Sequence, residues 1–266
     1  MIVGGVILLI IAAICGGVSY ASKKKIYQLR TVDKRNCGDV MELAREVVES
    51  MAEFGGSESL VSEVGEFVGD LVCEAPITGE LSGQQCVYYK MSVIRKYEET
   101  YWDKDANEHK TRTGTTTVST NSNHAAFALR DSTGELPVDA SKCKWEGLVQ
   151  SVSKFERSGY APQVSFGGFT FSVGNDHRDT DERRTIGYEY KEHIMPVGKR
   201  VTVIGEVTDK MGQIALRTGD KMKLSISTKS REEQLESARK TQKYTMIAAI
   251  ACGALGAVLA VIGAVS

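Results

Sequence analysis

Charge of one sign is missing from this sequence. Thirty-three Lys and Arg stand against 34 Asp and Glu, a net of −1, so the strongly basic face that non-specific nucleic-acid binding needs has no global support. No nucleic-acid partner is expected. Cys-x-x-Cys pairs are missing too, although six cysteines are present, which excludes a zinc ribbon or RING finger on ligand count. There is no Gly-x-Ser-x-Gly elbow, no phosphate-binding loop ending in Lys-Ser/Thr and no His-Glu-x-x-His, so the familiar hydrolase, nucleotide and metalloprotease sites have no residues to build them. His109, His124, His177 and His193 stand apart from one another and from cysteine. The densest polar cluster is Asn175, Asp176, His177, Asp179, Asp181 and Glu182. Its oxygens alternate as a hard-cation loop would, but it lacks the central Gly of an EF-hand and is offset by Arg178, Arg183 and Arg184. The expectation is a solvated loop, with no metal, no cofactor and no catalytic residue.

Two long uncharged runs are what the sequence does have. Residues 2–21 and 244–265 carry no charged side chain, and each reaches the ~20 residues that cross ~30 Å of hydrocarbon. A cleaved signal peptide would carry basic residues ahead of its apolar stretch, and only Met1 precedes the first run. All charge therefore lies between the runs, and it is unevenly placed. Lys23, Lys24 and Lys25 follow the first run, and Arg239, Lys240 and Lys243 precede the second. Lys and Arg near span ends are retained in the cytoplasm, so a cytoplasmic middle domain with outward termini is expected. The same basic flanks attract anionic lipid headgroups or serve only as topological anchors. Within the spans Ala12 and Gly16, Ala13 and Gly17, Ala249 and Gly253, and Gly253 and Ala257 are four apart. Such faces let helices approach closely, either within the chain or between copies in a homo-oligomer.

Between the spans the pattern changes twice. Residues 22–63 form a basic juxtamembrane stretch and an amphipathic helix, with Val40, Leu43, Val47 and Met51 at helical spacing, widened by Ala44, Val48 and Phe54 and ending at Gly55-Gly56. From there short β-branched and aromatic runs are divided by turn residues. Strands are expected at 66–73, 85–97, 111–120, 125–131, 200–207, 213–217 and 224–227, with a tight Asp131-Ser-Thr-Gly134 turn. Residues 64–230 are thus a β-rich domain, 156–184 its long polar loop, and 231–243 a helical stalk leading into the second span. The fold class is a membrane protein with two terminal transmembrane helices flanking an α+β, mainly antiparallel β domain, a small barrel or sandwich. Four cysteines, Cys37, Cys73, Cys86 and Cys143, fall in it, too far apart in sequence to assign disulfides.

Two regions carry a resemblance. Val64-Gly-Glu-Phe-Val-Gly69, Ala75-Pro-Ile-Thr-Gly-Glu-Leu-Ser-Gly83 and Cys86-Val-Tyr-Tyr89 are followed by Phe127-Ala-Leu-Arg-Asp131, Gly134 and Val138-Asp139. Later come His193-Ile-Met-Pro-Val-Gly198, Val201-Thr-Val-Ile-Gly-Glu206 and Ile226-Ser-Thr-Lys-Ser-Arg-Glu-Glu233. Together these resemble the GIDE or "beside a membrane" domain of the mulan/MAPL-like E3 ubiquitin ligases of mitochondrial and chloroplast outer membranes. The positions that match its motifs are Pro76, Gly83, Cys86, Tyr88, Tyr89, Pro196, Gly198, Gly205, Glu206, Ser227 and Lys229. Read physically they are structural: a strand stop at Pro196, a turn at Gly198, a close approach at Gly205. Ser230 ahead of Glu232 and Glu233 reads as a helix cap. In those ligases the chemistry belongs to a RING beyond the second span, and the resemblance therefore implies a RING-less, prokaryote-type member without ligase activity of its own. The mitochondrial relative keeps this domain in the intermembrane space, whereas the flanks here favour the cytoplasm. The expected role is a membrane-anchored interaction or sensing module for a protein or lipid partner in stress response or quality control, or alternatively an accessory scaffold of a ubiquitin-like ligase or membrane protease.

Overall fold

The computed structural model describes residues 2–53, 61–157, 163–166, 169–172, 182–210 and 213–265. It divides into two compact units, one built from the chain up to Lys34, Val64–Glu66 and the chain from Lys229, the other from Arg35–Glu63 and Phe67–Thr228.

The first unit is a pair of helices, α1 (Ile2–Thr31) and α3 (Arg231–Val265). Both are long and apolar enough to cross a membrane. They run antiparallel because small residues fall at matching levels: a Cβ on Gly256 would lie 3.0 Å from the Gly5 carbonyl oxygen, and one on Gly253 would lie 3.8 Å from the Ala12 Cβ. Backbones that close gain dispersion contact which lipid tails cannot supply. Gly16 and Gly17, expected on the contact face, have nothing within 4 Å of where a Cβ would stand. The crossing therefore uses Gly5, Ala12, Gly253 and Gly256. Beyond the apolar run α1 stays helical to Thr31, with Ile26 and Leu29 buried. Its end meets Glu66: the Glu66 N–H donates to the Asp33 carbonyl at 2.9 Å, and the buried Glu66 carboxyl receives Arg231 Nη1 at 3.0 Å. At the start of α3 the Glu233 N–H donates to Ser230 Oγ at 3.2 Å while the Ser230 N–H donates to Glu233 Oε2 at 2.8 Å. That reciprocal capping box fixes where the helix begins, and α3 then continues unbroken from stalk into span.

The second unit holds one further helix, α2 (Cys37–Glu53), and fifteen strands among the described residues. The first eight are β1 (Ser62–Val72), β2 (Ile77–Thr78), β3 (Gln85–Cys86), β4 (Tyr88–Asp103), β5 (Glu108–His124), β6 (Phe127–Arg130), β7 (Glu135–Val138) and β8 (Lys144–Glu146). Then follow β9 (Val149–Arg157), β10 (Gln163–Phe166), β11 (Phe169–Ser172), β12 (Arg183–Met195), β13 (Arg200–Thr208), β14 (Ala215–Arg217) and β15 (Ser225–Ser227). Strands β1, β6, β7, β14 and β13 are bonded in that order and β13 returns to β1, closing a five-stranded barrel to which β15 and β8 are added. Its interior is filled by Phe67, Leu71, Leu129, Leu136, Val203, Val207, Leu216 and Ile226, all buried. A second sheet, ordered β5-β4-β12-β9 and antiparallel throughout, buries Tyr89, Met91, Val93, Tyr188, Tyr190 and Ile194 on one face. The expected class, two terminal apolar helices around a mainly antiparallel β domain, is the one observed.

Details differ from the sequence reading where charge hides the alternation. β12 carries Arg183, Arg184, Glu189, Lys191 and Glu192, yet Tyr188, Tyr190, Glu192 and Ile194 all point inward; a buried Glu breaks the apolar count. The stretch 156–184 contains the end of β9, the β10–β11 hairpin and the start of β12. Residues 158–162, 167–168 and 173–181, with the acidic cluster Asn175 to Asp181, lie outside the described residues. On α2 the buried stripe is Cys37, Val40 and Ala44, with Met41 and Val47 against the core. Leu43 and Val48, counted into the stripe above, are exposed at 45% and 39%, since the barrel wall receives a narrower face than the periodicity allowed. Phe54 and Gly55-Gly56 lie outside the described residues, as does the side chain of Met51.

The Asp131 turn forms as expected and does a second job. Asp131 Oδ1 accepts from the N–H groups of Thr133 at 2.8 Å and Gly134 at 3.2 Å. Asp131 Oδ2 accepts the Cys37 N–H and Thr133 Oγ1 the Gly38 N–H, each at 2.8 Å, so the turn caps α2 from outside. Gly38 is required there because a Cβ would meet the Thr133 carbonyl oxygen at 2.5 Å. Burial alone would raise the Asp131 carboxyl, but the bonds from Thr133 and Cys37 outweigh it and hold the group down at about 2. A carboxyl held below its unfolded value stabilises fully above pH ~4 and loses that contribution as pH falls toward 2. Asp131→Asn is expected to lower stability at pH 7 by about 1–2 kcal/mol and to flatten the decline below pH 4, both read from urea titrations at pH 7 and pH 3. An unchanged acid limb would show that this carboxyl is not the linked group.

Candidate functional site

The motif residues gather in two places on the second unit. One lies where the arm 77–86 crosses the four-stranded sheet. Gly83 holds φ of +68°, which closes a loop bonded by Gly83 N–H to Gly79 C=O at 3.0 Å and Gly79 N–H to Gln84 C=O at 2.9 Å. Beneath the loop sits Glu192, fully buried. Its Oε2 accepts the Leu81 N–H at 2.8 Å, and its Oε1 accepts the Ser82 N–H at 3.2 Å and Ser151 Oγ at 2.7 Å. Ser151 reaches it because the β9–β12 register slips at that residue, a bulge that re-aims a side chain. Gly79 has no room for a side chain, since a Cβ would stand 2.8 Å from Glu192 Oε1. Alongside, Tyr89 Oη and Asn121 Nδ2 both donate to Glu80 Oε1, at 2.9 and 2.5 Å. Cys86 is fully buried next to this group, its thiol pushed up to about 11 by burial and then by the Glu192 charge.

The second gathering lies on the barrel. Glu206 Oε1 receives Ser62 Oγ at 2.6 Å and Glu206 Oε2 the Lys221 N–H at 3.0 Å, joining the start of β1 to the turn after β14. Gly205 makes its close approach to side chains rather than backbone: a Cβ would meet Leu224 Cδ1 at 2.8 Å and Leu216 Cδ1 at 3.1 Å. Pro196 ends β12, and Gly198, at φ +71°, turns the chain so that its N–H donates to the Leu71 carbonyl at 2.8 Å. Tyr88 stacks on Trp145 at 4.5 Å between centroids. Ser227 is buried in β15, paired to Thr202 on one side and Glu146 on the other. Pro76 stands one residue before β2. Lys229 belongs to the helix unit, where its carbonyl accepts Gln234 Nε2 at 3.1 Å. In that unit Lys23, Lys24, Arg239, Lys240 and Lys243 are exposed and Lys25 is half-buried.

A family model described as GIDE, E3 Ubiquitin ligase, matches residues 96–262, from the middle of β4 through α3. This chain belongs to the GIDE family. The segments Val64 to Gly69 and Ala75 to Tyr89 precede the matched stretch, while His193 to Gly198, Val201 to Glu206 and Ile226 to Glu233 lie inside it. No curated protein and no solved structure matches the chain.

Chemically, these GIDE-domain constellations lock structure. The thiols of Cys37 and Cys143 are pushed up to about 12, chiefly by burial. With Cys86 they stay protonated at neutral pH, the opposite of what a thioester-forming cysteine needs. No group of three or more His, Cys, Asp or Glu suited to a metal ion occurs among the described residues. Sequence reasoning missed Glu192, Ser151 and Asn121, and saw Gly79 and Glu80 only inside a motif string. The available signal was Glu192 at an inward-pointing strand position, flanked two residues away by Tyr190 and Ile194. Glu192→Ala strands two backbone donors and a hydroxyl, and is expected to cost about 3 kcal/mol, with amide exchange at 79–83 accelerating before exchange in the barrel. In the same protein Cys86 should resist maleimide at pH 7.5 and react once Glu192 is removed; brisk labelling of the parent would contradict the burial argument.

Proposed function

We propose that this GIDE chain is a membrane-tethered interaction module, its β domain held at the bilayer by a helical hairpin and binding a partner of the ubiquitin-transfer or quality-control type in a stress setting. The observation that carries the reading is the close antiparallel packing of α1 and α3 at Gly5, Ala12, Gly253 and Gly256. Antiparallel pairing brings Lys23–Lys25 of α1 level with Arg239, Lys240 and Lys243 of α3, supported by the Ser19 Oγ to Gln242 carbonyl contact at 3.5 Å. A ring of basic residues from both helices at one end of an apolar pair is what the cytoplasmic side retains and what anionic headgroups attract. Tethering at two points limits the domain to the membrane surface and raises its effective concentration for partners there.

The family's description as E3 Ubiquitin ligase favours scaffolding of a separate transferase as the form this binding takes. The protonated, buried thiols support a binding role over a transferring one. Sidedness tests the proposal first. In sealed cells, external protease should leave residues 35–228 intact and should degrade them once the membrane is opened, while carbonate washing leaves the chain in the pellet. Release by carbonate, or digestion in sealed cells, would overturn the tethered cytoplasmic arrangement.

A further inference from the structure

Strand β5 is an edge of the four-stranded sheet. It is 17 residues long and, among the described residues, pairs only with β4. From Thr113 to His124 it carries no Lys, Arg, Asp, Glu or Pro. Natural sheets guard long edges with such residues, because an unpaired row of N–H and C=O groups accepts another strand. The opposite edge of the same sheet, β9, is guarded: Lys154, Glu156 and Arg157 occupy its last four positions. On β5 the register slips at Val118, which turns in toward the core, and leaves Thr113–Thr117 as an uninterrupted stretch. Thr113, Thr115 and Thr117 are exposed on one face of it.

We propose that β5 is a docking edge for the β5 strand of a second copy of this chain, joined antiparallel about a two-fold axis at Thr115. The sequence of the edge is self-complementary in that register. Thr113 stands opposite Thr117 and Thr115 opposite itself, pairs that favour antiparallel sheets through their methyl and hydroxyl groups. Arg112 falls opposite Val118 and Lys110 opposite Thr120, so no like charges meet. The join makes an eight-stranded sheet from two four-stranded ones and removes the unguarded edge from both, an isologous contact that closes on itself. The inference stands independently of the membrane-tethering proposal.

The test uses the full chain in detergent with Thr115→Cys, treated with a short bis-maleimide. The native cysteines set the background in the parent chain, and Lys154→Cys on β9 is the comparison edge. A cross-linked dimer for Thr115→Cys well above both is expected. Sedimentation supplies the second arm: Thr115→Lys combined with Thr117→Lys places ammonium groups opposite one another and should weaken dimerisation about tenfold or more, while Thr115→Val with Thr117→Val leaves it intact. Cross-linking at Thr115 no greater than at Lys154→Cys, capture of a foreign chain there instead, or an unchanged dimer in the double-Lys variant would each overturn the proposal.

Discussion

One ion pair stands at the place where the inserted chain departs and returns. Glu66 and Arg231 meet at 3.0 Å, with the Glu side chain only 6% exposed. The Asp33 carbonyl accepts the Glu66 backbone N–H, so the chain just after α1, the start of β1 and the first turn of α3 meet at one residue, through its N–H and its buried carboxyl. A half-buried pair of this kind contributes little by existing and costs several kcal/mol when one partner is removed. Its value is positional. It registers the two helices from outside the apolar run, where no lipid contact can, and Gly5 and Gly256 then register them from within.

The same economy recurs in the β domain. Glu192 ties β12, β9 and the loop at Leu81 and Ser82 together with one carboxyl, and Glu206 ties β1 to the turn after β14. Asp131 builds a turn and caps a helix. In each case backbone N–H groups that would otherwise be orphaned in the interior receive a carboxyl oxygen, which is the cheapest way to bury an irregular segment. Asp131 and Glu206 belong to the motif strings while Glu192 stands just outside one, and the Cys37 and Cys86 thiols beside these joints are held protonated near neutrality, chiefly by burial.

How much of this was legible in the sequence follows from the period of each signal. The two long apolar helices were plain, because a run of about 20 uncharged residues stands out by composition alone, and so were the Asp131 turn and the Ser230 cap, which depend on neighbours three residues away. The barrel was visible as a class but not as a topology: β7, β14 and β15 have three or four residues each and offer no alternation to count. β12 was missed because its inward face includes Glu192, and the contact face of the spans was misplaced because small residues recur on several faces and only the partner helix selects among them. No local signal could have linked Asp131 to Cys37, 94 residues apart.

The β4–β5 hairpin has a property that follows from its length. Its sixteen paired residues extend about 50 Å, but β12 accompanies β4 only as far as Glu99. Among the described residues the outer part is a two-stranded ribbon, a form with little stability of its own in water. It is braced by Trp102 against His109, Arg112 over Tyr101, and Lys110 on Asp103. Two of those three braces are electrostatic and at least partly exposed, so they weaken as salt is added while the apolar base of the sheet does not. The hairpin is in effect a stiff shaft with an ionically laced tip, and ionic strength alone would loosen the far end without disturbing its root.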